Sequence, residues 1–162
     1  MLKTSLAPVT ATDTRLLILG SLPGDASLAA QAYYAHPRNA FWPIMAKLTG
    51  VTLDTLPYDE RLAALLRHGV GLWDVIGSAT RRGSLDQALR EIEANPLVTL
   101  IETLPRLEAV AFNGQTAYRL GARLIPSGLA SLALPSSSPA HTMPLANKLD
   151  AWQCLLPYLS HR

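Results

Sequence analysis

Ten residues, Tyr33–Trp42 (YYAHPRNAFW), hold two tyrosines, a phenylalanine and a tryptophan, with His36, Arg38 and Asn39 set between them. These are four of only ten aromatic side chains in the chain (three Trp, five Tyr and two Phe), so the rings are concentrated here. Flat rings can stack on a heterocycle, and an amide or imidazole between them can orient a water or a phosphate. An ordinary amphipathic helix would instead space its apolar residues three and four apart and fill the outer face with Lys and Glu. A second reading of the same residues is a loop entering a helix, with Pro37 in a first turn and Asn39 capping Ala40–Thr49. Both readings stand on these residues alone.

The elements that must position this stretch follow from periodicity. Residues 1–14 read as an extended lead-in. Leu16–Leu19 is a short apolar run ending in Gly20, which suits a strand buried on both faces. The turn residues SLPGDAS follow, then a helix over Leu28–Tyr34. Beyond the Ala40–Thr49 helix, DERLAALLRHG has an acidic start, leucines at helical spacing and a basic, glycine-ended finish. Val70–Ile76 reads as a second strand, GSATRRGS as a loop whose Arg81 and Arg82 either are solvated or add charge near bound phosphates, and Leu85–Glu93 as a helix capped by Ser84. NPLVTLIETLP is a short helix, RLEAVAFNG a third strand ending at Asn113, QTAYRLGARL a helix, and Ser131–Leu134 a fourth strand. Pro144–Leu159 closes the chain as a helix, with Lys148 and Asp150 outward and Leu149, Trp152, Leu155 and Leu156 inward. Strands alternating with helices predict an α/β fold with a parallel sheet covered on both faces. No repeat or linker interrupts 1–162, which is expected to be one domain.

Four loops then end four strands on one sheet edge: GSLPGDAS, WDVIGSATRR, FNGQTAY and PSSSPAHT. Ligands bind at the carboxyl edge of such sheets. Each loop alone also reads as simple turn chemistry, and Asp74 as a capped or paired structural carboxylate. No G-x-x-x-x-G-K-[ST], G-x-G-x-x-G or G-x-S-x-G motif is present, and the four histidines show no metal-ligand spacing. What remains is an edge of small residues, hydroxyls, backbone donors and rings, suited to phosphates and a flat base.

Composition sets outer limits. The 162 residues are 49% hydrophobic, enough for a folded core, and the formal charge of +2 permits nucleic-acid binding without requiring it. The single Cys154 sits in an apolar run and is expected to be a small core residue, in a reducing compartment. The start lacks the apolar core of a signal peptide, and no apolar run is long enough to span a membrane, so a cytoplasmic protein is expected.

Taken together, GSLPG (20–24), HPRNAFW (36–42), GLWDVI (71–76), AFNGQTAY (111–118) and SSSPAHT (136–142) resemble the motifs of the uracil-DNA glycosylase superfamily, from first strand to last helix and in the same order. The nearest likeness is to the hypoxanthine-DNA (deoxyinosine) glycosylase branch, with the mismatch-specific uracil/thymine glycosylases next. The resemblance implies a three-layer α/β/α fold on a four-stranded parallel sheet, with a DNA groove at its carboxyl edge. Two positions depart from the relatives. They carry Asn or Asp before the proline of the first motif, where this chain has Leu22. Classical uracil glycosylases open the last motif with His, where this chain has Ser136, with His141 further along.

The implied activity is monofunctional hydrolysis of an N-glycosidic bond in DNA, with hypoxanthine preferred and uracil or a mismatched base as further substrates. No Lys lies in a motif suited to a Schiff base, and Lys47 looks exposed, so no strand cleavage is expected. Because Leu22 can neither donate nor accept, the water-positioning role falls to Asn39. Ser21, Tyr33, Tyr34, Phe41, Trp73, Asp74 and Asn113 are assigned to the base pocket, although the strand position of Trp73 also suits the core. Asp74 occupies the place where uracil glycosylases carry their base-reading Asn, and if ionised it would accept from the N1–H of hypoxanthine. Gly20, Pro23, Gly24, His36, Ser136, Ser137, Ser138 and His141 are assigned to the DNA backbone. The expected partner is DNA holding a damaged or deaminated base, bound by a monomer, with no metal and no cofactor. The competing readings are a non-catalytic nucleic-acid-binding module, favoured by Leu22, and a nucleoside or nucleotide hydrolase.

Overall fold

Four short strands supply the framework in a computed structural model that describes residues 1–160. Strand β1 is Leu2–Thr4 and β2 is Leu16–Gly20, followed by helices α1 (Asp25–Ala30), α2 (Phe41–Thr49) and α3 (Tyr58–Arg67). Then come β3 (Val70–Asp74), β4 (Ile76–Thr80), β5 (Arg90–Ala94) and α4 (Leu97–Ile101). The chain continues through β6 (Ala109–Asn113), α5 (Gln115–Gly121), β7 (Ala130–Leu134) and α6 (Leu145–Trp152). The main sheet has the order β3-β2-β6-β7 and is parallel throughout. Gly20 lies opposite Asp74, and Asn113 opposite Leu134, so the strands end together and their following loops share one edge.

The alternation of side chains along β2 divides the core. Leu16 and Ile18 face a cluster with Phe41, Trp42, Ile44, Met45 and Trp152, whereas Leu17 and Leu19 face Trp73, Val110 and Phe112 on the other side. Both faces are covered, which is why β2, β3 and β6 are buried along their whole length.

Several expectations fail, each for a physical reason. The helix expected over Leu85–Glu93 is a single 3-10 turn, Asp86–Ala88, leading into β5. Leu89 is buried but Ile92 is 42% exposed, so the segment has no apolar stripe to seat a helix, and its backbone pairs with β4 instead. β1, β4 and β5 form a separate antiparallel sheet that includes part of the expected GSATRRGS loop and of the extended lead-in. The strand expected over Val70–Ile76 stops at Asp74, and the chain changes sheets across Val75. Asn95 pins that corner by donating from Nδ2 to the carbonyls of Asp74 and Ile76. The first helix begins at Asp25 rather than Leu28 and is over before Tyr33. The helix expected over Pro144–Leu159 is α-helical only to Trp152, and a 3-10 helix, Gln153–Tyr158, follows; Lys148 is buried rather than outward, while Leu156, expected inward, is 38% exposed. Cys154 is exposed rather than in the core. No helix among the described residues is long and apolar enough to cross a membrane.

Candidate active site

The aromatic stretch is a chain of tight turns laid over the carboxyl ends of β2 and β6. Gln31 and Tyr34 both adopt left-handed backbone, with φ of 52° and 55°. For a bulky Tyr this conformation costs on the order of 1–3 kcal/mol and has to be held by its surroundings. It is held by packing: the Tyr34 ring stacks on Phe41 with centroids 4.0 Å apart, and Phe41 meets Trp42 and Trp152 edge-on. Phe41 is fully buried, so it supports Tyr34 from below rather than presenting a face to a ligand.

Asn39 is half-buried, and its Oδ1 accepts from the N–H of Phe41 at 3.0 Å. Its own N–H donates to the His36 carbonyl, and His36 Nδ1 accepts from the N–H of Arg38. The Asn39 side chain thus makes a short turn at the mouth of α2, whose N-cap position is Ala40 rather than Asn39. A carbonyl oxygen has two lone pairs, so Oδ1 keeps one acceptor site, and Nδ2 keeps its donors. The turn fixes the amide without exhausting it.

The serine loop is tied to the same stretch. The Ala40 N–H donates to the Ser137 carbonyl at 2.9 Å. Asn113 clamps Ser137 twice: Oδ1 accepts from the Ser137 N–H and Nδ2 donates to Ser137 Oγ, both at 2.9 Å. Ser137, 1% exposed, is therefore a buried anchor of the loop rather than the free phosphate donor expected of it, and Asn113 turns each end of its amide to the loop while one Nδ2 hydrogen is left over. The Ser136 and Ser138 hydroxyls accept from the N–H groups of Ser138 and Ala140 in successive turns. His141 is exposed at the loop's far end. Beneath the loop, Lys148 donates from Nζ to the Ser138 carbonyl, and its burial lowers the amine's pKa.

On the opposite side lies Asp74, 3% exposed, with Oδ2 buried and without a hydrogen-bond partner. Gly20 makes room for it, because a Cβ there would sit 2.7 Å from Asp74 Oδ1 and 3.5 Å from the Tyr34 hydroxyl. That hydroxyl is also buried and unpartnered. Burial and the neighbouring Asp74 raise its pKa, and Asn113 close by opposes them. Burial, reinforced by Asp86 and opposed by Arg81, pushes the Asp74 carboxyl up to about 7. Near neutrality the carboxyl is therefore divided between its protonated and ionised forms, where an ordinary Asp would be ionised throughout.

Five other assigned residues serve the frame. Tyr33 is a core residue whose hydroxyl donates to the Ala7 carbonyl at 2.8 Å, and its own carbonyl accepts from Trp42 Nε1. Trp73 packs in the core on the far face of the sheet and donates from Nε1 to the Leu6 carbonyl, so it is no part of a base pocket. Ser21 donates from Oγ to Asp86 Oδ1 at 2.8 Å. Pro23 offers its carbonyl to an Nη of Arg81, and Gly24 stands at the start of α1 beside Ser84. Arg81 is 2% exposed, not the solvated charge expected, although Arg82 is exposed. Leu22 is buried with Ile76, Ala79 and Leu89 under the small sheet. Its side chain has core work, which accounts for an apolar residue at that position.

Asp86 and Lys148 were not among the expected site residues. The signal for Lys148 was present, because 148, 152, 155 and 159 are spaced four, three and four apart, along the buried stripe that includes Trp152. Asp86 was hidden by the expected helix around it. No cluster of His, Cys, Asp and Glu able to hold a metal occurs among the described residues.

A parallel four-stranded sheet covered on both faces, with strained aromatics and orphaned polar groups at its carboxyl edge, places the chain among α/β proteins that bind a flat ligand at strand ends. Residues 7–159 match the uracil DNA glycosylase superfamily, and the chain belongs to it. A hypoxanthine DNA glycosylase of Methanosarcina barkeri is 37% identical over 152 residues, covering 94% of this chain and 96% of that protein. One from Methanosarcina acetivorans is 35% identical over 155 residues, covering 96% and 98%. A Methanosarcina acetivorans protein solved by solution NMR, described provisionally as a uracil DNA glycosylase, superposes with a TM-score of 0.87 at 35% identity, covering 96% of this chain and 97% of that one.

Proposed function

We propose that the protein is a DNA repair glycosylase that hydrolyses the N-glycosidic bond of a deaminated base flipped out of DNA, with hypoxanthine preferred and uracil or a mismatched base as further substrates. The observation that carries this reading is the full-length similarity to two hypoxanthine DNA glycosylases, at 37% and 35% identity. The site has the parts the reaction needs. The Asn39 amide, fixed by its turn and left with one acceptor site, holds the attacking water. Tyr34, with its hydroxyl unpartnered, and Asp74 meet the base. His36 and the loop Ser136–His141 track the DNA backbone.

The transition state resembles an oxocarbenium ion, so most of the help is electrostatic and positional. Asn39 need not remove a proton early, because water becomes acidic only as it bonds to the sugar carbon. Taking the base out of the stack costs a few kcal/mol, which stacking on an aromatic such as Tyr34, worth about 1–3 kcal/mol, can offset. Leu22 belongs to the core under the small sheet, and on this reading the Asn39 amide takes the water-positioning role whose absence at Leu22 favours a non-catalytic binding module. The working unit on this reading is one chain in the cytoplasm, bound to DNA.

The test is a gel assay on oligonucleotides holding inosine, uracil, xanthine or a G/T mismatch, with alkali to open abasic sites. Inosine is expected to be excised fastest. Excision of none of them, or turnover of free nucleosides with DNA untouched, would overturn the proposal.

A further inference from the structure

Two side chains of α6 reach up to the serine loop. Lys148 donates from Nζ to the Ser138 carbonyl at 3.1 Å, and Trp152, one turn further on, donates from Nε1 to the Pro135 carbonyl at 2.9 Å. Lys148 is 4% exposed and, among the described residues, forms no ion pair. We infer that Lys148 is a positioning residue for DNA: it holds the serine loop with hydroxyl donors free, and a backbone phosphate seated on that loop supplies the counter-charge that the protein does not. This deepens the proposed function and rests on its reading of Ser136–His141 as the part that tracks the DNA backbone.

The loop's acceptors are occupied from within. The Leu134 carbonyl accepts from the Gly114 N–H, that of Pro135 from Trp152, and that of Ser137 from the Ala40 N–H. The Ser138 carbonyl accepts twice, from Lys148 and from the His141 N–H at 3.0 Å, which uses both of its lone pairs. The Ser136 and Ser138 hydroxyls accept from N–H groups two residues on, and each keeps its hydrogen to donate. Both serines are half-buried, so these hydroxyls stand at the surface of the loop. A surface with its carbonyls occupied and its hydroxyls free complements a phosphate oxygen.

The charge beneath the loop points the same way. An ammonium has three donors, and Ser138 takes one of them. Burial lowers the Lys148 pKa, and no neighbouring carboxylate raises it. Asp150, two residues on, leaves the helix on another side and is exposed. The stripe that Lys148 shares continues through Trp152, Leu155 and Leu159, all buried. An apolar residue at 148 would extend that stripe without the cost of burying a charge, a cost that only an opposite charge or further hydrogen bonds offset. Salt screens a buried charge poorly, so the attraction of Lys148 reaches a phosphate on the loop above it.

The test is binding of the full chain to a duplex oligonucleotide holding one tetrahydrofuran abasic-site analogue, which has no base to lose, across a salt titration. Lys148→Gln keeps a donor for the Ser138 carbonyl but drops the charge, whereas Lys148→Arg keeps both. The inference predicts weaker binding by Lys148→Gln, with the slope of log affinity against log salt shallower by about one, as for loss of one phosphate contact. Lys148→Arg should return the slope toward that of the wild type. A lysine that only props the loop would change the melting temperature and leave the slope alone, so a wild-type slope in folded Lys148→Gln overturns the inference. Where Lys148→Gln does not fold, the Lys148 Nζ resonance is followed by NMR in the wild type. It should shift when the duplex is added, and an unmoved resonance overturns the inference. Excision is measured separately, on inosine oligonucleotides. A wild type that binds with the predicted dependence on Lys148 but excises no base overturns the base-excision reading alone, and one that excises inosine with a slope indifferent to Lys148 overturns this inference alone.

Discussion

The proposed site has two sides, one for water and one for the base, built in opposite ways. On the water side, Asn39 is joined to partners two and three residues away, Phe41 and His36, by local turns at the start of α2. On the base side, Ser21 and Asp86 meet across 65 residues, and Gly20, Tyr34 and Asp74 come from separate strands and loops. The water side is fully hydrogen-bonded where it touches backbone, whereas the base side holds the unpartnered Asp74 Oδ2, Tyr34 hydroxyl and Arg81 Nη1. Leaving such groups unpaired costs roughly 1–3 kcal/mol each. A local turn can fix one amide for a small ligand such as water. A pocket for a base has to be left unfinished, so that the base supplies the missing partners.

Substitutions can set the two sides against each other. The largest effect is expected on the water side. Asn39→Ala should cut single-turnover excision on the order of 10²–10³-fold, with a stability loss of about 1 kcal/mol from the lost turn bond. Asn39→Asp keeps the turn acceptor and should stay well above the alanine variant. Equal rates in all three proteins would remove the distinction between the sides. A smaller loss, on the order of tenfold to a hundredfold, is expected from Gly20→Ala. Its Cβ would meet Asp74 Oδ1 at 2.7 Å and force the base side to shift, while circular dichroism should show the sheet intact.

Asn113→Ala removes both hydrogen bonds to Ser137 and frees the serine loop. It should lower stability by about 1–3 kcal/mol and weaken binding to an oligonucleotide more than it slows the bound-state rate. A pure rate effect would put Asn113 at the base after all. The smallest effect is a pH trend. A buried acid with a raised pKa binds more protons in the folded state, so its contribution to stability falls as pH rises from the ordinary carboxylate range through about 7. Asp74→Asn removes that slope. Its melting temperature relative to wild type should therefore rise across that window and level off above it. A constant difference would mean that Asp74 titrates normally.

Much of the frame was legible in the chain. Short apolar runs, Leu16–Leu19 before Gly20, Val70–Ile76 and the one ending at Asn113, announced buried parallel strands, although the second stops at Asp74, and their loops share one edge because the strands end in register. The turn at Asn39 was legible in part because its hydrogen bonds are local, although the N-cap position of α2 falls on Ala40 rather than Asn39. The base side was not. REIEA is rich in helix formers, and its pairing with β4 makes it a strand, so Asp86 was read inside a helix over Leu85–Glu93. Arg81 and Lys148 looked like surface charges because sequence does not show the carbonyls of Pro23, Gly83 and Ser138 that receive them. Trp73 and Tyr33 were drawn into the pocket by residue type, although each donates its polar hydrogen to the lead-in, at Leu6 and Ala7. A ring in a motif need not face the ligand.

The central claim is that water, held by Asn39, replaces a deaminated base on the sugar. The most direct measurement is product stoichiometry on a duplex oligonucleotide with one inosine, counting released hypoxanthine, alkali-labile sites and strand breaks formed without alkali. The account predicts one hypoxanthine per alkali-labile site and no strand breaks, with both products falling together in folded Asn39→Ala. Strand cleavage without alkali, no hypoxanthine from the wild type, or an undiminished yield and rate from Asn39→Ala would contradict it.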